Sequence, residues 1–357
     1  MRHRRPLSAT VVAAVVLGLC ATPAPAGARA LKAMWGPAVE RGVSQFPVYR
    51  DLGIQLYETK LDWDAVARTR PAHPRDPRDP RYAWPAELDA AVAQSAGDIR
   101  VAVQLIGAPP WANGGRSANW APRDPGDYAD FAYAAARRYP TVRLWMIWGE
   151  PNRSGGLRPI VGAEPARPLN PAQAAAPRRY ARMLDAAYGA LKHANRHNLV
   201  IGGMTFTTGA IDTRQWIENM RLPNGRPPRL DLYGHNPFAL RDPDLANPPS
   251  SRGAVDFSDL RRLAGWIDRY LGRGRPQIRL FLSEWTIPTA VDNEFNFYVD
   301  PVVAARWITD GLRIARTWPR IYALGWIHLY DALPVTAGGL LDGEGNPKPG
   351  YSAWKNG

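Results

Sequence analysis

Residues 142–152 read VRLWMIWGEPN, and residues 278–286 read IRLFLSEWT. Each stretch is a run of mostly aliphatic and aromatic residues that ends on a carboxylate, Glu150 in the first and Glu284 in the second. A short, continuously apolar run is typical of a strand that is covered on both faces. The two stretches therefore predict buried parallel strands, each with an acidic side chain at its carboxyl end.

Six further runs of the same kind occur along the chain. The eight strand candidates are residues 32–37, 53–61, 99–106, 142–148, 199–206, 230–234, 278–282 and 322–328. Amphipathic segments between them predict helices, among them residues 86–95, 127–138, 171–195, 257–271 and 301–318. Strand followed by helix, repeated eight times, is the pattern of a (β/α)8 barrel. We therefore predict an α/β fold, a TIM barrel with a single catalytic domain.

An open doubly wound sheet is the alternative α/β arrangement. Such a sheet normally carries a glycine-rich phosphate-binding loop after its first strand. Residues 34–37, at the end of the first strand candidate, read MWGP, which is not such a loop. The barrel is therefore favoured.

The composition is that of an ordinary globular protein, with 357 residues of which 45% are hydrophobic and 22% charged. This balance excludes a disordered chain and a collagen-like fibre. The single cysteine excludes an internal disulfide framework and any metal site that needs two thiolates. The formal charge is +13, but the arginines are scattered and not clustered on one element. We therefore predict no nucleic-acid partner.

The first thirty residues have the pattern of a secretory signal peptide. Three arginines within residues 2–5 precede an apolar run at 11–19, which is too short to span a bilayer. Small residues suited to cleavage follow at Ala26 and Ala30. We predict cleavage between these positions and a mature, secreted domain of residues 31–357 with a charge of +9, because the four arginines of the segment are removed. An uncleaved membrane anchor is the alternative, and a lipid anchor on Cys20 is disfavoured because Leu19 precedes it.

Glu150 and Glu284 follow the fourth and seventh strand candidates, about half a barrel apart. Groups at the carboxyl ends of barrel strands meet at one mouth, where the chemistry of such proteins is located. Two facing carboxyl groups suit the cleavage of a glycosidic bond. One protonates the leaving oxygen, and the other attacks the anomeric carbon or activates water. The alternative is that Glu150 forms a surface ion pair and that the nearby tryptophans only fill the core.

Residues 147–152, IWGEPN, resemble the acid/base motif WNEPN of clan A glycoside hydrolases. The approach to this motif from residue 127 resembles family 39-like members, and a family 5-like member is the other candidate. Residues 107–112, 231–235 and 282–285 resemble the ends of strands three, six and seven in that clan. The resemblance covers most of the predicted mature chain.

The resemblance implies that Glu150 is the general acid/base and Glu284 the nucleophile of a retaining, double-displacement mechanism. It also implies carboxyl groups about 5 Å apart and neither a metal nor another cofactor. Three positions depart from the motif pattern. Gly149 replaces the Asn that usually hydrogen-bonds the sugar 2-hydroxyl, and Glu58 lies where an Arg usually supports the nucleophile. Residues 235–238 read HNPF, where many members have a Tyr near the nucleophile; either Tyr233 substitutes for it or the role is lost.

Eight residues near the strand ends are candidates for substrate binding: Trp111, Trp148, Asn152, Tyr233, His235, Trp285, Trp326 and His328. Flat aromatic rings suit the stacking of sugars, while core packing is the alternative role of each aromatic or histidine. His193 and His197 have a spacing that could hold a metal, but a solvated helix face is favoured because no third ligand is evident.

The pattern as a whole predicts a secreted retaining glycosidase that acts on a polysaccharide or oligosaccharide. We expect a carbohydrate substrate as its partner, no stable membrane insertion after signal cleavage, and a monomer. The alternative is a carbohydrate-binding protein that kept the barrel with weakened catalysis.

Overall fold

In a computed structural model that describes residues 29–251, 253–272 and 277–357, eight parallel strands close into a barrel. They are β1 (Leu31–Trp35), β2 (Leu56–Asp62), β3 (Arg100–Ile106), β4 (Leu144–Ile147), β5 (Leu199–Phe206), β6 (Leu232–Asn236), β7 (Arg279–Trp285) and β8 (Ile321–Ile327). Each strand pairs with the next in sequence, and β8 pairs with β1 to complete the ring. The prediction of a TIM barrel is confirmed. Residues 1–28, and with them most of the predicted signal peptide, lie outside the described residues.

Helices follow the strands and surround the barrel. They are α1 (Phe46–Asp51), α2 (Trp63–Val66), α3 (Ala86–Gln94), α4 (Pro110–Asn113), α5 (Pro125–Arg138), α6 (Ala175–Ala194), α7 (Thr213–Asn219), α8 (Leu260–Tyr270), α9 (Pro301–Thr317) and α10 (Pro349–Asn356). A single 3-10 turn, Phe257–Asp259, precedes α8, and a small antiparallel hairpin pairs Val39–Glu40 with Val43–Ser44. In the described residues, no helix is long and apolar enough to cross a membrane.

Two strands extend further towards the mouth than their apolar runs indicated. Strand β7 continues through Ser283 and Glu284 to Trp285, and β6 ends at Asn236 rather than at residue 234. Ser283 is buried inside the barrel, where its hydroxyl has a polar partner, so the ladder continues although the residue is not apolar. The two predicted site glutamates therefore differ in backbone setting: Glu284 lies within a strand, whereas Glu150 lies in a loop.

The core has two apolar layers. The barrel interior is filled by a compact set of side chains, Ala33, Leu56, Ala102, Leu144, Met146, Ile201, Met204, Leu232, Phe281 and Ala323. A larger layer lies between the strands and the helices and contains fully buried tryptophans, Trp63, Trp145, Trp148, Trp216, Trp285, Trp326 and Trp354. Since these account for half of the 14 tryptophans, the high Trp content is explained largely by packing.

Candidate active site

A strained turn after β4 places Glu150 at the mouth of the barrel. Trp148 and Glu150 have φ angles of 65° and 42°, in the left-handed region that side chains other than glycine rarely adopt. Such residues cost about 1–3 kcal/mol each and persist only where their surroundings hold them. Trp148 is held by full burial and by its indole N–H, which donates to the carbonyl of Gly156 at 2.9 Å.

The Glu150 carboxylate accepts hydrogen bonds from two side chains. Arg153 Nη1 lies 2.8 Å from Glu150 Oε2, and Asn236 Nδ2 donates to Glu150 Oε1 at 3.1 Å. Only 16% of the Glu150 side chain is exposed, whereas Arg153 is 56% exposed. A mostly buried carboxylate is thus paired with a cation that solvent can reach.

Glu284 lies beside Glu150 but has the opposite electrostatic character. Burial, followed by the negative charge of Glu150, raises the pKa of Glu284 to about 8. A hydrogen bond from the Asn236 side chain opposes this rise in the pKa. Asn236, the last residue of β6, therefore contacts both carboxyl groups and joins them into one site.

A third glutamate, Glu58, lies in the barrel interior on β2. Its side chain is fully buried, and Ser283 Oγ donates to Glu58 Oε2 at 2.6 Å, while Trp35 Nε1 donates to Ser283 Oγ at 2.9 Å. Glu58 Oε1 has no partner among the described residues. Burial raises the pKa of Glu58 well above its usual value, and the nearby Glu284 adds to this rise. A buried carboxyl group with a raised pKa thus occupies the neighbourhood in which the resemblance implies an arginine.

The wall of the mouth near Glu150 is aromatic. The ring centroids of Phe206 and Phe238 are 5.5 Å apart, and those of Phe238 and Phe295 are 5.4 Å apart. The guanidinium of Arg153 lies 4.8 Å from the centroid of Phe206. These residues come from loops after β4 and β7 and from the ends of β5 and β6, so no single motif in the sequence pointed to them.

His328, a predicted substrate residue, follows β8 at the same mouth. Its Nε2 lies 2.9 Å from Oε2 of Glu294, a loop residue whose charge also raises the pKa of Glu284. The backbone at His328 has a φ of 76°, which is a third strained position at the rim, after Trp148 and Glu150.

Six of the other predicted substrate residues lie in the protein interior with at most 1% exposure: Trp148, Asn152, Tyr233, His235, Trp285 and Trp326. Asn152 accepts from the backbone of Phe206 at 2.9 Å and donates to the carbonyl of Ile211 at 3.2 Å. Trp326 donates to the carbonyl of Gly338 at 3.1 Å. Stacking on a sugar requires an open ring face, so in this structure these side chains position the site's supporting loops.

His235 shows how such an interior residue acts. Its Nε2 is 2.9 Å from the carbonyl of Val255, which can only accept, so Nε2 carries the proton. Its Nδ1 then accepts from the hydroxyl of Thr205 at 2.9 Å, and Thr205 also contacts the hydroxyl of Tyr233. Burial lowers the pKa of His235 to about 4, so the ring stays neutral and ties β5 and β6 to the loop before α8.

Trp111 is half-buried beside the β2 loop rather than at the two glutamates. Its indole N–H donates to the carbonyl of Ala67 at 2.7 Å, and its ring packs edge-on against Trp63.

The metal alternative finds no support from the two surface histidines. His197 lies beyond the end of α6, and His193 Nδ1 is 3.1 Å from Arg75 Nη2. Within the described ranges, no three His, Cys, Asp or Glu side chains are grouped as metal ligands would be.

Comparison with known proteins connects this geometry to a class. No protein-family model and no curated protein sequence matches the chain. Its structure is similar to a family 39 glycoside hydrolase from Bacteroides cellulosilyticus WH2, with a TM-score of 0.63, 16% identity, and 92% of this chain and 63% of that one covered. It is also similar to a glucosidase from Croceicoccus marinus, with a TM-score of 0.62, 17% identity, and 92% of this chain and 66% of that one covered. A third similar structure is a monomeric β-xylosidase from Caulobacter crescentus CB15, with a TM-score of 0.60, 17% identity, and 91% of this chain and 67% of that one covered.

These similarities establish the fold. The chain has the (β/α)8 barrel seen in family 39 glycoside hydrolases of clan A, as the motif resemblance predicted. It spans about two-thirds or less of the length of the first two of these structures.

Proposed function

We propose that the protein is a retaining glycoside hydrolase that cleaves O-glycosidic bonds with Glu150 as general acid/base and Glu284 as nucleophile. The observation that carries this proposal is the pair of carboxyl groups joined through Asn236 at the carboxyl ends of β4, β6 and β7. The similarity in fold to glycosidases supports the same class of reaction.

In the first step, the ionised Glu284 attacks the anomeric carbon, and the bond from that carbon to the leaving oxygen breaks. Glu150 gives its proton to that oxygen, so the leaving group departs as an alcohol. In the second step, a water molecule gives a proton to Glu150 while its oxygen attacks the anomeric carbon. The bond to Glu284 breaks, and both carboxyl groups return to their starting forms.

The raised pKa of Glu284 bears on this first step, because attack requires the ionised form of Glu284. Glu150 accepts hydrogen bonds from Arg153 and Asn236. The reactive form has the proton on Glu150 and Glu284 ionised.

The test is a glycan panel assayed with the wild type, Glu150→Gln and Glu284→Gln. We expect wild-type turnover and, for each variant, a loss on the order of 10³-fold or more on a natural glycan, because each substitution removes one required group. Glu164→Gln, at an exposed loop residue, is the matched control and should retain full activity. Turnover that survives both active-site substitutions would overturn the proposal.

The probes for this panel follow from the comparisons. A β-xylosidase and a glucosidase have the same barrel, so aryl β-xylosides and aryl β-glucosides are the first substrates to assay. We propose an extracytoplasmic site of action and a monomeric state, on the basis of the segment 1–30 and the size of the barrel.

A weakened, carbohydrate-binding barrel is the second candidate. The specific observation in its favour is Glu58, since a carboxyl group near Glu284 has no positive charge with which to stabilise the nucleophile as an arginine would. This candidate predicts that the protein binds glycans but releases no product, even at high protein concentration. A hydrolase is expected to bind glycans and to release product.

A further inference from the structure

The amide of Gln104 occupies the space beside Gly149. Gln104 lies on β3, where it pairs in register with Lys60 of β2 and Met146 of β4. Ala102, two residues earlier, faces the barrel interior, so Gln104 faces the interior one layer closer to the mouth. A Cβ atom at position 149 would lie 2.9 Å from Gln104 Oε1 and 3.1 Å from Gln104 Nε2.

Glycine at position 149 is therefore explained by this neighbour and not by the backbone. The residue does not have a positive φ, so its conformation would accept a side chain. The space is taken by an amide that comes from a strand 45 residues earlier in the chain.

The amide itself has an unused donor. Gln104 is only 5% exposed, and its Nε2 is buried with no hydrogen-bond partner among the described residues. A buried N–H without a partner costs about 1–3 kcal/mol, so such a group in a site is expected to have a partner in the bound state. Gly149 immediately precedes Glu150, so this donor lies next to the acid/base.

We propose that Gln104 is a substrate-binding residue whose amide hydrogen-bonds a hydroxyl of the sugar that is cleaved. The hydroxyl next to the reacting carbon, the 2-hydroxyl, is the one whose hydrogen bonds strengthen in the transition state. Nε2 donates to this hydroxyl, and Oε1 can accept from the same or a neighbouring one. Gln104 thus selects sugars with a free 2-hydroxyl; this inference rests on the proposed glycosidase function.

The first test compares Gln104→Leu with the wild type on 4-nitrophenyl β-xyloside or β-glucoside and on the 2-deoxy analogue of each. We expect kcat/KM to fall about 10²-fold on the hydroxylated substrate and less than about threefold on the deoxy analogue, as for loss of one transition-state donor. Gln55→Leu, at an exposed position just before β2 and at the opposite end of the barrel from Gln104, is the control. An equal loss on both substrates would show that Gln104 only packs the barrel and would overturn the proposal.

The second test needs no turnover. Gly149→Asn alone should lower Tm by roughly 3 °C or more, since the added Cβ meets the Gln104 amide, and Gln104→Ala in the same chain should remove that penalty. Equal falls in Tm in both backgrounds would overturn the proposal by themselves. If instead Glu284→Gln leaves hydrolysis unchanged, the proposed function fails, and the Tm comparison still reports on the Gln104 geometry.

Discussion

At the scale of single residues, the unequal surroundings of two adjacent carboxyl groups decide how the site can work. Glu150 has an arginine and an amide as donors, whereas Glu284 has the buried Glu58 and the negative charges of Glu150 and Glu294 nearby. Burial and the charge of Glu150, in that order, raise the pKa of Glu284 to about 8. The surroundings of the proposed nucleophile thus favour its protonated form.

This asymmetry predicts a rise in activity with pH for substrates whose leaving group departs without protonation by Glu150. Since attack requires the ionised form of Glu284, kcat/KM for such substrates should rise by up to about tenfold per pH unit and level off near pH 8. Glu150→Gln removes a charge that raises the pKa, so the acidic limb should move to lower pH.

The acidic limb of the pH profile of kcat/KM is measured with an aryl glycoside that has a good leaving group. Such a substrate does not need Glu150 to protonate the leaving oxygen. Glu294→Gln removes a smaller contribution to the same pKa and should give a smaller shift. An acidic limb at the same pH in Glu150→Gln as in the wild type would contradict the coupling.

Glu58 gives a prediction about stability rather than activity. Its folded-state pKa is raised well above the usual value, so the unfolded chain releases the proton first as the pH rises. The contribution of Glu58 to stability is therefore present below its unfolded pKa and is lost as the pH rises above it. The expected loss is about 1.4 kcal/mol per pH unit while Glu58 is protonated only in the folded state.

Urea unfolding at pH 5, 6 and 7 measures this slope. The Gln side chain in Glu58→Gln is neutral in both the folded and the unfolded state. The free energy of unfolding of this variant should therefore fall less steeply with pH than that of the wild type, and the difference in slope should correspond to about one bound proton. Glu344→Gln, at an exposed loop residue, should have the wild-type slope. Identical slopes for Glu58→Gln and the wild type would mean that Glu58 is ionised inside the barrel.

At the scale of elements, the start of α7 anchors the long loop after β4. Asp212 Oδ1 accepts from the backbone of Gln215 at 2.8 Å, and the Gln215 side chain accepts from the Asp212 backbone at 3.1 Å. Asp212 Oδ2 also accepts from the backbone of Ala166 in that loop at 2.9 Å. One buried carboxylate thus caps a helix and fixes a segment that follows Glu150 in the chain.

Asp212→Ala should therefore destabilise the protein by about 2 kcal/mol, at the upper end of the range for a lost N-cap. Asp300→Ala removes the exposed cap of α9, which accepts from Val302 alone at 2.8 Å, and should cost less, about 1 kcal/mol. Urea denaturation of both variants provides the comparison. A cost for Asp212→Ala no larger than that for Asp300→Ala would show that the loop contact adds nothing.

Some strands and site residues could be predicted from the sequence, and others could not. Buried strands such as β5 were predictable because both faces are covered and the run is continuously apolar, whereas the end of β7 was not, because Ser283 and Glu284 are polar. The two glutamates were predictable as strand-end carboxylates. The roles of Gln104 and Arg153 could not be predicted, because they depend on contacts that form only on folding. The glycine at position 149 was the one available sign that another side chain fills this space.

Tryptophans were the least predictable part of the site. Trp285 and Trp326 are close to the mouth in sequence, but their rings face the helices and lie 5.3 Å apart in the outer apolar layer. Irregularities in strand register change which face a side chain occupies near the end of a strand. The pairing of β7 with β8 contains such register shifts.

At the scale of the whole molecule, much of the positive charge is used in ion pairs. Arg229 pairs with Asp185 at 2.8 Å, Arg50 with Asp98 at 2.6 Å, and Arg320 with Asp268 at 2.7 Å. Exposed pairs contribute little to stability, but they place an acidic group beside each of these arginines.

The segment 1–30 predicts export of the whole chain. Expression of the full sequence in a bacterial host should yield a protein whose new N-terminus is Gly27 or Leu31, both of which leave β1 intact. Intact-mass measurement of the exported fraction checks this. A protein that keeps residues 1–30 and stays in the cytoplasm would contradict the prediction.

The stereochemistry of cleavage tests the central proposal most directly. In a double displacement, the anomeric carbon is inverted twice, so the first product has the configuration of the substrate. Proton NMR of the sugar released by the wild type, recorded before mutarotation, measures that configuration. We predict the same anomer as in the substrate; release of the opposite anomer would contradict a mechanism with Glu284 as nucleophile and Glu150 as acid/base.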